Sequence, residues 1–509
     1  MAMLATFNLY LCRVNLSIAI VAMSKYNKSS SNNSSKHDSS SSTSDACNIF
    51  DDHGDNNNNN TNNQQNHHGE FDWSESTQSQ ILGAFFYGYL VFQIVGGRLA
   101  ELFGAKWLCA AGMAVSLMIN AMTPLIARTQ IYWLLVASRV VLGMFQAFIF
   151  PALYALCSKW APDHERSTFL SFLSIGSNVG TIATNALSGY LAEHGFAGGW
   201  PSVFYVSAII CSAWLLIWTV FIRSDPRDQP CITHRELQYI ESNIDAIAAA
   251  DAGDGDGSKL KKLPVPWLAI FRSKPIWSII IVKWCMCWNY QLLLSKLPSY
   301  LKTVFKYPIE QNGFINSMVY VVLTISILLS GLVADFIVRK KLISKTLLRK
   351  IFESLAAFVS AICLAAIPWA QCNNTIVIAL IMIGMIFFGT QAGGDIAIVS
   401  DMTNNFTATV FAIANTIAFT CGFITPLVIG YIVEASPGQP RRQWSYIFYM
   451  SAAISVLGGI VFLVFGSADR QPWDRDDVVV VVVDEEEVIV EDRHVVVEEV
   501  IDTNSVTKI

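Results

Sequence analysis

Charged residues are scarce in this 509-residue sequence: they make up 14% of it, whereas hydrophobic residues make up 53%. A soluble globular protein carries about 25% charged residues, so this composition excludes that class and indicates a membrane protein. The chain has no G-x-x-x-x-G-K-[ST] phosphate-binding loop, which argues against direct use of ATP. Its apolar segments also lack histidine clusters, a metal-ligand set and a nucleophile elbow, which argues against a membrane enzyme.

Histidine and cysteine are present, but their positions argue against an intramembrane histidine proton relay and against a CxxC redox or metal site. The eight histidines all fall in segments that we expect to be loops or tails, so no imidazole is available inside an apolar segment as a proton relay. The eleven cysteines include no CxxC pair and lie mostly in apolar segments, where we interpret them as small packing residues. We therefore expect no resident metal, no cofactor other than a co-transported sodium ion or proton, and no nucleic-acid partner.

Long apolar runs dominate the sequence, and runs of about 18 or more residues can cross a bilayer as helices. The runs fall near 4–23, 79–100, 106–127, 131–157, 167–192, 200–222, 276–301, 312–337, 350–370, 375–400, 405–433 and 443–466. The predicted fold is therefore an all-α integral membrane protein with twelve transmembrane helices in two six-helix halves.

Polar segments set the domain boundaries. We predict an N-terminal half at 1–222 with a long outer loop at 24–78, a cytoplasmic linker at 223–275, a C-terminal half at 276–466 and an acidic cytoplasmic tail at 467–509. Short valine runs alternate with acids in the tail, which we interpret as disordered. Its last residues, Thr507, Lys508 and Ile509, fit the C-terminal ligand pattern of PDZ domains, with a chance match as the alternative.

Loop charge and glycosylation sequons predict the same orientation. The stretch "RKKLISKTLLRK" after the eighth run holds six basic residues and no acid, so we place it and both termini in the cytoplasm. The sequons that would then face the exterior or a lumen begin at Asn27, Asn32, Asn33, Asn59 and Asn373. The sequon at Asn405 would face inward and stay unmodified. The membrane itself, plasma membrane or lysosomal or vesicular membrane, is left open.

An internal repeat follows the second and eighth runs, as "GRLAELFGAKW" and "GLVADFIVRKK". The residues that match at one constant offset are Gly97/Gly331, Ala100/Ala334, Glu101/Asp335 and Lys106/Lys340. The glycine would let two helices approach closely, and the acid and base would form a cytoplasmic charge latch. Two six-helix halves with this motif resemble the major facilitator superfamily, whose halves rock about a midplane site.

Further segments resemble one branch of that superfamily, the anion:cation symporters, which include sialin, the vesicular glutamate and nucleotide transporters and the sodium–phosphate cotransporters. These segments are "RVNLSIAIVAM", "FDWSESTQSQILGAFFYGY", "SKWAPDHERS", "LLLSKLPSYL" and "FAIANTIAF". The resemblance runs from the first to the last predicted helix and implies transport of a small anion, such as phosphate, sialate or another carboxylate. A membrane receptor or scaffold derived from a transporter is the alternative.

Arg13 interrupts the apolar stretch "LYLCRVNLSI", where a charge near the bilayer centre costs roughly 2.5–3.5 kcal/mol on insertion scales. On helical spacing Tyr10, Arg13 and Ser17 share one face. The resemblance implies that Arg13 lies in the central cavity and attracts the anionic substrate. The alternative is an arginine paired with an internal acid for structure alone, although the first helix contains no acid.

The predicted fourth helix supplies the next candidates. Arg139, Leu142, Gly143 and Gln146 fall on one face of that helix. The resemblance implies that Arg139 lies near the outer side of the cavity, and that Gln146 and Tyr154 occupy substrate-site positions. The resemblance further implies that sialin-like and glutamate-carrying relatives have carboxylates where this chain has Leu142 and Gln146, whereas the sodium–phosphate and nucleotide branches share the glutamine. It also implies a histidine at the position of Leu82 in the glutamate carriers and at the position of Tyr154 in sialin. Because glutamine does not titrate, we expect voltage or sodium, rather than an obligatory proton, to drive transport.

Other polar residues lie inside the C-terminal runs. Asp395 is a candidate coupling site for a cation or proton, or alternatively a helix-end acid that reaches cytoplasmic water. The resemblance assigns Asp401 to the inner gate and gives Asn289 and Tyr290 a place at the substrate site. A helix–helix hydrogen bond is the alternative for Asn289.

We predict glycans on loop 24–78 and none at Asn405, because only the former faces the glycosylation machinery in the assigned orientation. Mass spectrometry of the protein purified from eukaryotic membranes checks this. An occupied Asn405 would reverse the orientation.

Overall fold

The computed structural model describes residues 1–25, 69–160, 163–224, 226–229, 232–233, 235, 238–239, 266–403, 406–435, 439–474, 479–483 and 486–490. Five of the sequons, at Asn27, Asn32, Asn33, Asn59 and Asn405, lie outside these residues, as does the predicted PDZ ligand at Thr507–Ile509. The surroundings of Gly97 and of the Glu101 side chain are not described either.

Helices make up nearly all of the described chain. Those before residue 222 are α1 (Ala2–Met23), α2 (Glu75–Phe103), α3 (Ala105–Arg128), α4 (Tyr132–Gln146), α5 (Ile149–Trp160), α6 (Asp163–His194) and α7 (Trp200–Phe221). Those after residue 266 are α8 (Trp267–Arg272), α9 (Lys274–Phe305), α10 (Ile309–Arg339), α11 (Lys345–Ser354), α12 (Ser360–Ala366), α13 (Asn374–Phe388), α14 (Asp395–Met402), α15 (Thr407–Phe419), α16 (Cys421–Glu434) and α17 (Pro440–Phe465).

The predicted all-α membrane body is confirmed. Within the described ranges, nine helical segments are long and apolar enough to cross a membrane. The other predicted spans coincide with α2, α6 and α9, which have 29, 32 and 32 residues. Twelve as the number of membrane crossings stays a prediction.

Several spans are not continuous α-helices. The predicted span 131–157 is divided into α4 and α5, and Pro151, which has no N–H to donate, lies in the first turn of α5. A π-helical turn at Leu355–Val359 separates α11 from α12, and a 3₁₀ turn at Gly389–Gly393 separates α13 from α14. Irregular backbone at membrane depth is tolerated where protein or a cavity surrounds it, so these interruptions mark the interior of the bundle.

Contacts at the predicted outer end join the two groups of helices. Lys296 Nζ on α9 lies 3.2 Å from Glu75 Oε2 on α2, and Lys302 donates to the carbonyl of Val21. Helices α6 and α10 cross closely at a glycine pair, where a Cβ on Gly189 would lie 2.8 Å from the Cα of Gly313. This end of the bundle is therefore closed.

The second copy of the repeat differs from expectation. A Cβ placed on Gly331 meets no atom within 4 Å, so the predicted close helix approach is absent there. Asp335 is exposed, and within the described part of the chain no ion pair joins it to Lys340. In the first copy, Lys106 is buried with Nζ 4.8 Å from the centroid of the Trp107 ring. The charge latch between the acid and the base of the repeat is therefore not formed at the second copy in this conformation, and it stays a prediction for another one.

Two expectations about polar and sulfur-containing residues need correction. Cys372 forms a disulfide bond, so the interpretation of cysteines as packing residues fails at that position. A disulfide suits the exterior or a lumen, where the sequence places this turn. His164 and His194 are not in loops but in α6, which His194 ends and where the ring of His194 stacks on Tyr190.

The tail also differs from its predicted disorder. Strands β1 (Val479–Val483) and β2 (Glu486–Val490) pair as an antiparallel hairpin, with Val479 opposite Val490. Valine is β-branched and favours extended backbone, which explains strands in this valine-rich stretch.

Replacing Lys296 with Met should loosen the closed outer end, because Glu75 then loses its partner in a largely buried ion pair. If the closed state loses about 1.4 kcal/mol of stability, the equilibrium constant for opening rises about tenfold. Labelling of a cysteine placed at Ser295 by a membrane-impermeant thiol reagent measures this. Lys25→Met is the matched control, since Lys25 pairs with Asp72 on the exposed surface. Equal labelling in both variants would remove the closing role of Lys296.

Candidate functional site

Arg13 projects from the middle of α1 into a cage of aromatic rings. Its Cζ lies 4.6 Å from the ring centroid of Phe85, 4.8 Å from Phe86, 5.3 Å from Tyr89, 5.4 Å from Tyr10 and 5.9 Å from Phe419. Cation–π contacts in a desolvated setting are worth about 2 kcal/mol or more. The rings therefore stabilise the guanidinium without using its N–H donors.

The donors of Arg13 are not satisfied by an acid. Its buried Nη1 has no hydrogen-bond partner, and no carboxylate of the described chain lies within ion-pair distance of it. The structural ion pair that was the alternative for Arg13 is therefore absent in this conformation. A buried, unpaired guanidinium costs free energy unless a ligand completes it.

Arg139 on α4 presents a second buried guanidinium. Arg139 is 2% exposed, and its Nε and Nη2 have no hydrogen-bond partner in the described structure. Its Cζ lies 5.8 Å from the centroid of Phe204. Arg13 and Arg139 line one cavity of ≈ 440 Å³ together with Ser17, Gln291 and Ser295. We call this the arginine cavity.

A larger cavity of ≈ 630 Å³ lies on the other side of Arg13, and we call it the inner cavity. Its lining includes Tyr10, Lys283, Tyr290, Gln391, Asp395, Asn415 and Phe419. Helix α9 gives the order of the two cavities, because Lys283 and Tyr290 precede Gln291 and Ser295 along the chain. The caged Arg13 lies between the cavities, since Tyr10 and Phe419 contact it and also line the inner cavity.

The other predicted substrate-binding residues do not share one cavity in the structure. Tyr290 lines the inner cavity, but its neighbour Asn289 lines a different cavity of ≈ 300 Å³ inside the C-terminal helices. Gln146 is fully buried and donates to Ser116 Oγ over 3.3 Å, so it joins α4 to α3 and lines neither named cavity. Tyr154 is 46% exposed and lines neither cavity as well.

Asp395 and Asp401 occupy different environments. Asp395 is only 1% exposed and lies 3.7 Å from Lys283 Nζ, so it is not an acid at a solvated helix end. Asp401 pairs with Arg349, Nε to Oδ2, at 2.8 Å, and with Lys345 at 3.5 Å. Both of these basic partners lie on α11, so Asp401 joins helices of the same half in this conformation.

Sequence reasoning missed Lys283, the aromatic cage and Glu353, whose Oε2 accepts the backbone N–H of Asp395 over 3.0 Å. Lys283 and Glu353 are charges inside the predicted spans 276–301 and 350–370. The rule that singled out Arg13, that an intramembrane charge marks function, would have found both. The cage carried no local signal because its rings come from α1, α2 and α15.

Comparisons with known proteins agree with this architecture. The family model described as Major Facilitator Superfamily matches residues 2–426. A putative inorganic phosphate cotransporter of Drosophila melanogaster is 32% identical over 80% of this chain and 75% of its own length. Human sialin is 30% identical over 80% and 79%, and human vesicular glutamate transporter 2 is 28% identical over 79% and 67%.

Solved structures show the same fold at low identity. A bacterial homologue of the human lysosomal transporter Spinster, in an inward-facing and unoccupied conformation, gives a TM-score of 0.64 at 12% identity, with 92% of this chain and 98% of that chain covered. A D-xylose–proton symporter gives 0.61 at 13% identity, with 92% and 99% covered.

The family and the relatives are membrane transporters rather than enzymes, and the helical bundle with its interior cavities agrees with that class. The chain belongs to the Major Facilitator Superfamily and, within it, to the anion:cation symporters that the sequence resembles.

Replacing Arg13 with Ala should abolish transport yet leave a folded protein, because the residue contributes an uncompensated charge rather than a structural ion pair. Arg13→Lys keeps the charge but loses the planar fork, so anion affinity should fall roughly tenfold to a hundredfold. Binding and uptake assays on the purified variants measure this. Arg128→Ala is the control, since Arg128 also lies over an aromatic ring, that of Trp200, but is 48% exposed. Normal transport by Arg13→Ala would make the residue structural.

Proposed function

We propose that the chain carries small anions, such as phosphate, sialate or another carboxylate, across the membrane by alternating access of the halves 1–222 and 276–466. The observation that carries this proposal is the pair of arginines that face one cavity with unsatisfied donors. A carboxylate or phosphate matches the guanidinium fork in both geometry and charge. The names of the relatives, which include phosphate, sialate-class and glutamate carriers, support the same substrate class.

Anion binding would also compensate a charge that the bundle leaves uncompensated. Burying an unpaired ion costs several kcal/mol, and a bound anion removes that cost while satisfying Arg13 Nη1 and Arg139 Nη2. Because that compensation exists only with substrate bound, the site would favour the loaded state. The free energy released by this compensation contributes to the affinity of the site for the anion.

The cavity order suggests the direction in which this conformation faces. The outer end is closed by Lys296 with Glu75 and by the glycine crossing of α6 and α10, and the larger cavity lies toward the opposite end. We infer an inward-facing state, in which an anion leaves past Tyr10 and Phe419. The reverse movement would open the end that carries Lys296.

Membrane voltage or a co-transported cation would supply the driving force, because neither Leu142 nor Gln146 on α4 is titratable. For a monovalent anion, 100 mV is worth about 2.3 kcal/mol, which is roughly a fifty-fold concentration ratio. A co-transported sodium ion or proton would neutralise the moving charge and replace voltage by its own gradient.

The finer location and partners belong to the same proposal. Both termini would be cytoplasmic, in the plasma membrane or a lysosomal or vesicular membrane, and the tail ending at Ile509 would bind a PDZ-domain protein. Asn373 is exposed and uses Oδ1 to cap α13, which leaves its Nδ2 available for a glycan.

Uptake into liposomes by the purified protein tests the function. Inorganic phosphate, sialate and glutamate are supplied in turn at clamped voltage, then with a sodium gradient and then with a pH gradient. We expect saturable flux of at least one anion, lost in Arg13→Ala and kept in Arg128→Ala. Saturable binding without flux would instead support the receptor or scaffold alternative.

A further inference from the structure

Three charged side chains from three helices meet beside the inner cavity: Lys283 on α9, Glu353 on α11 and Asp395 on α14. Lys283 Nζ lies 3.7 Å from Asp395 Oδ2, and the Asp395 backbone N–H donates to Glu353 Oε2 over 3.0 Å. Glu353 is fully buried, and Asp395 nearly so. The arginine cavity uses none of these groups, so the cluster requires its own explanation.

The charges of the cluster do not balance. Counted over the described side chains of the cluster, two ionised carboxylates and one ammonium leave one negative charge beside the inner cavity. Glu353 Oε1 is buried and has no hydrogen-bond partner in the described structure, although a buried carboxylate normally accepts several hydrogen bonds. An uncompensated buried charge costs several kcal/mol. One added proton would remove the excess charge.

The other elements that pack on α11 do not supply the missing positive charge. Arg349, one turn before Glu353, is engaged by Asp401 and by the carbonyl of Gly393 over 2.9 Å. The segments 355–359 and 389–393 contain no charged residue. On α17 the two arginines lie in the first turn, whereas Gly459, near its other end, is the residue that meets Ala357.

The backbone is shaped for this contact. A Cβ on Gly394 would lie 2.4 Å from Glu353 Oε2, so only glycine lets the carboxylate reach the N–H of Asp395. The π-helical turn also begins directly after Ser354, the residue that follows Glu353. Such turns occur frequently at functional sites.

We propose that Glu353 and Asp395 together hold one proton that exchanges with water of the inner cavity, which makes this cluster the proton site of the transport cycle. A proton from cavity water would reach Asp395, which lines the cavity, and be shared with Glu353 behind it. Its release returns it to water by the same route. A sodium ion fits less well, because the Lys283 ammonium already occupies the cation position beside Asp395.

Protonation of the cluster is coupled to anion binding because the cluster and Arg13 both lie beside the inner cavity. This step rests on the proposed function. Tyr10 and Phe419 contact Arg13 and line the same cavity as Asp395 and Lys283. A bound anion adds negative charge to this cavity and so favours the protonated cluster. By linkage, protonation then favours anion binding by the same factor. The proton site absent from α4 would thus lie in the other half of the molecule.

Infrared titration of the full-length purified protein tests the proton directly, without any substrate. We expect wild type to show the C=O stretch of a buried protonated acid that disappears as the pH is raised. Glu353→Gln and Asp395→Asn should each lack this band, because removing either acid leaves one carboxylate balanced by Lys283. Asp72→Asn is the control: its carboxylate is 66% exposed and pairs with Lys25, so the band should remain. A wild type without the band, or variants that retain it, would overturn the proposal.

Liposomes then test the coupling with inorganic phosphate, sialate and glutamate as probes. Accumulation driven by a pH gradient should fall about tenfold or more in Glu353→Gln, whereas exchange of labelled for unlabelled anion, which needs no net proton movement, should persist. Normal gradient-driven accumulation in Glu353→Gln would contradict the coupling. Absence of any anion flux in wild type would refute the proposed function, while the infrared band would still decide the proton site.

Discussion

The positive charge of Arg13, held in a low-dielectric interior with no carboxylate of the described chain within ion-pair distance, is the constraint on which the arrangement of the rings and cavities around it depends. Ring faces can stabilise such a charge only if several of them surround it, and the rings come from α1, α2 and α15. Phe419 belongs to the C-terminal helices, whereas Phe85 and Phe86 belong to the N-terminal ones. The cage is therefore complete only while the two groups of helices are close together at this level.

This arrangement links the charge to conformation. A movement that separates α15 from α2 removes Phe419 from the guanidinium and exposes Arg13 to whatever fills the inner cavity. Water or an anion would then replace the ring. Closure at the far end by Lys296 and Glu75, together with the tight crossing of Gly189 and Gly313, holds the opposite face shut meanwhile. The same bundle thus couples solvation of one buried charge to contacts near the other membrane face.

The two halves carry opposite electrostatic character around the cavities. The N-terminal helices contribute Arg13 and Arg139, and among the described residues no acid forms an ion pair with either. The C-terminal helices contribute Lys283, Glu353 and Asp395, whose carboxylates outnumber their ammonium. Interrupted helices make the second group feasible, because Gly394 and the π-helical turn let two acids approach where regular helices would keep them apart.

The sequence alone determined the membrane class and the positions of the apolar spans, and it singled out Arg13 as a buried charge, because hydropathy and the cost of a buried charge are properties of local composition. It also placed Arg139 at the cavity and located the C-terminal spans that hold Asp395. Only the tertiary structure decided which of these side chains meet. Asn289 and Tyr290 are adjacent on one helix yet line different cavities, since successive helical residues point about 100° apart. Helical periodicity gives the faces of each helix, but the packing of neighbouring helices decides which face borders a cavity. For this reason the sequence alone could not show that Gln146 is buried against Ser116 or that Glu353 reaches the backbone of Asp395.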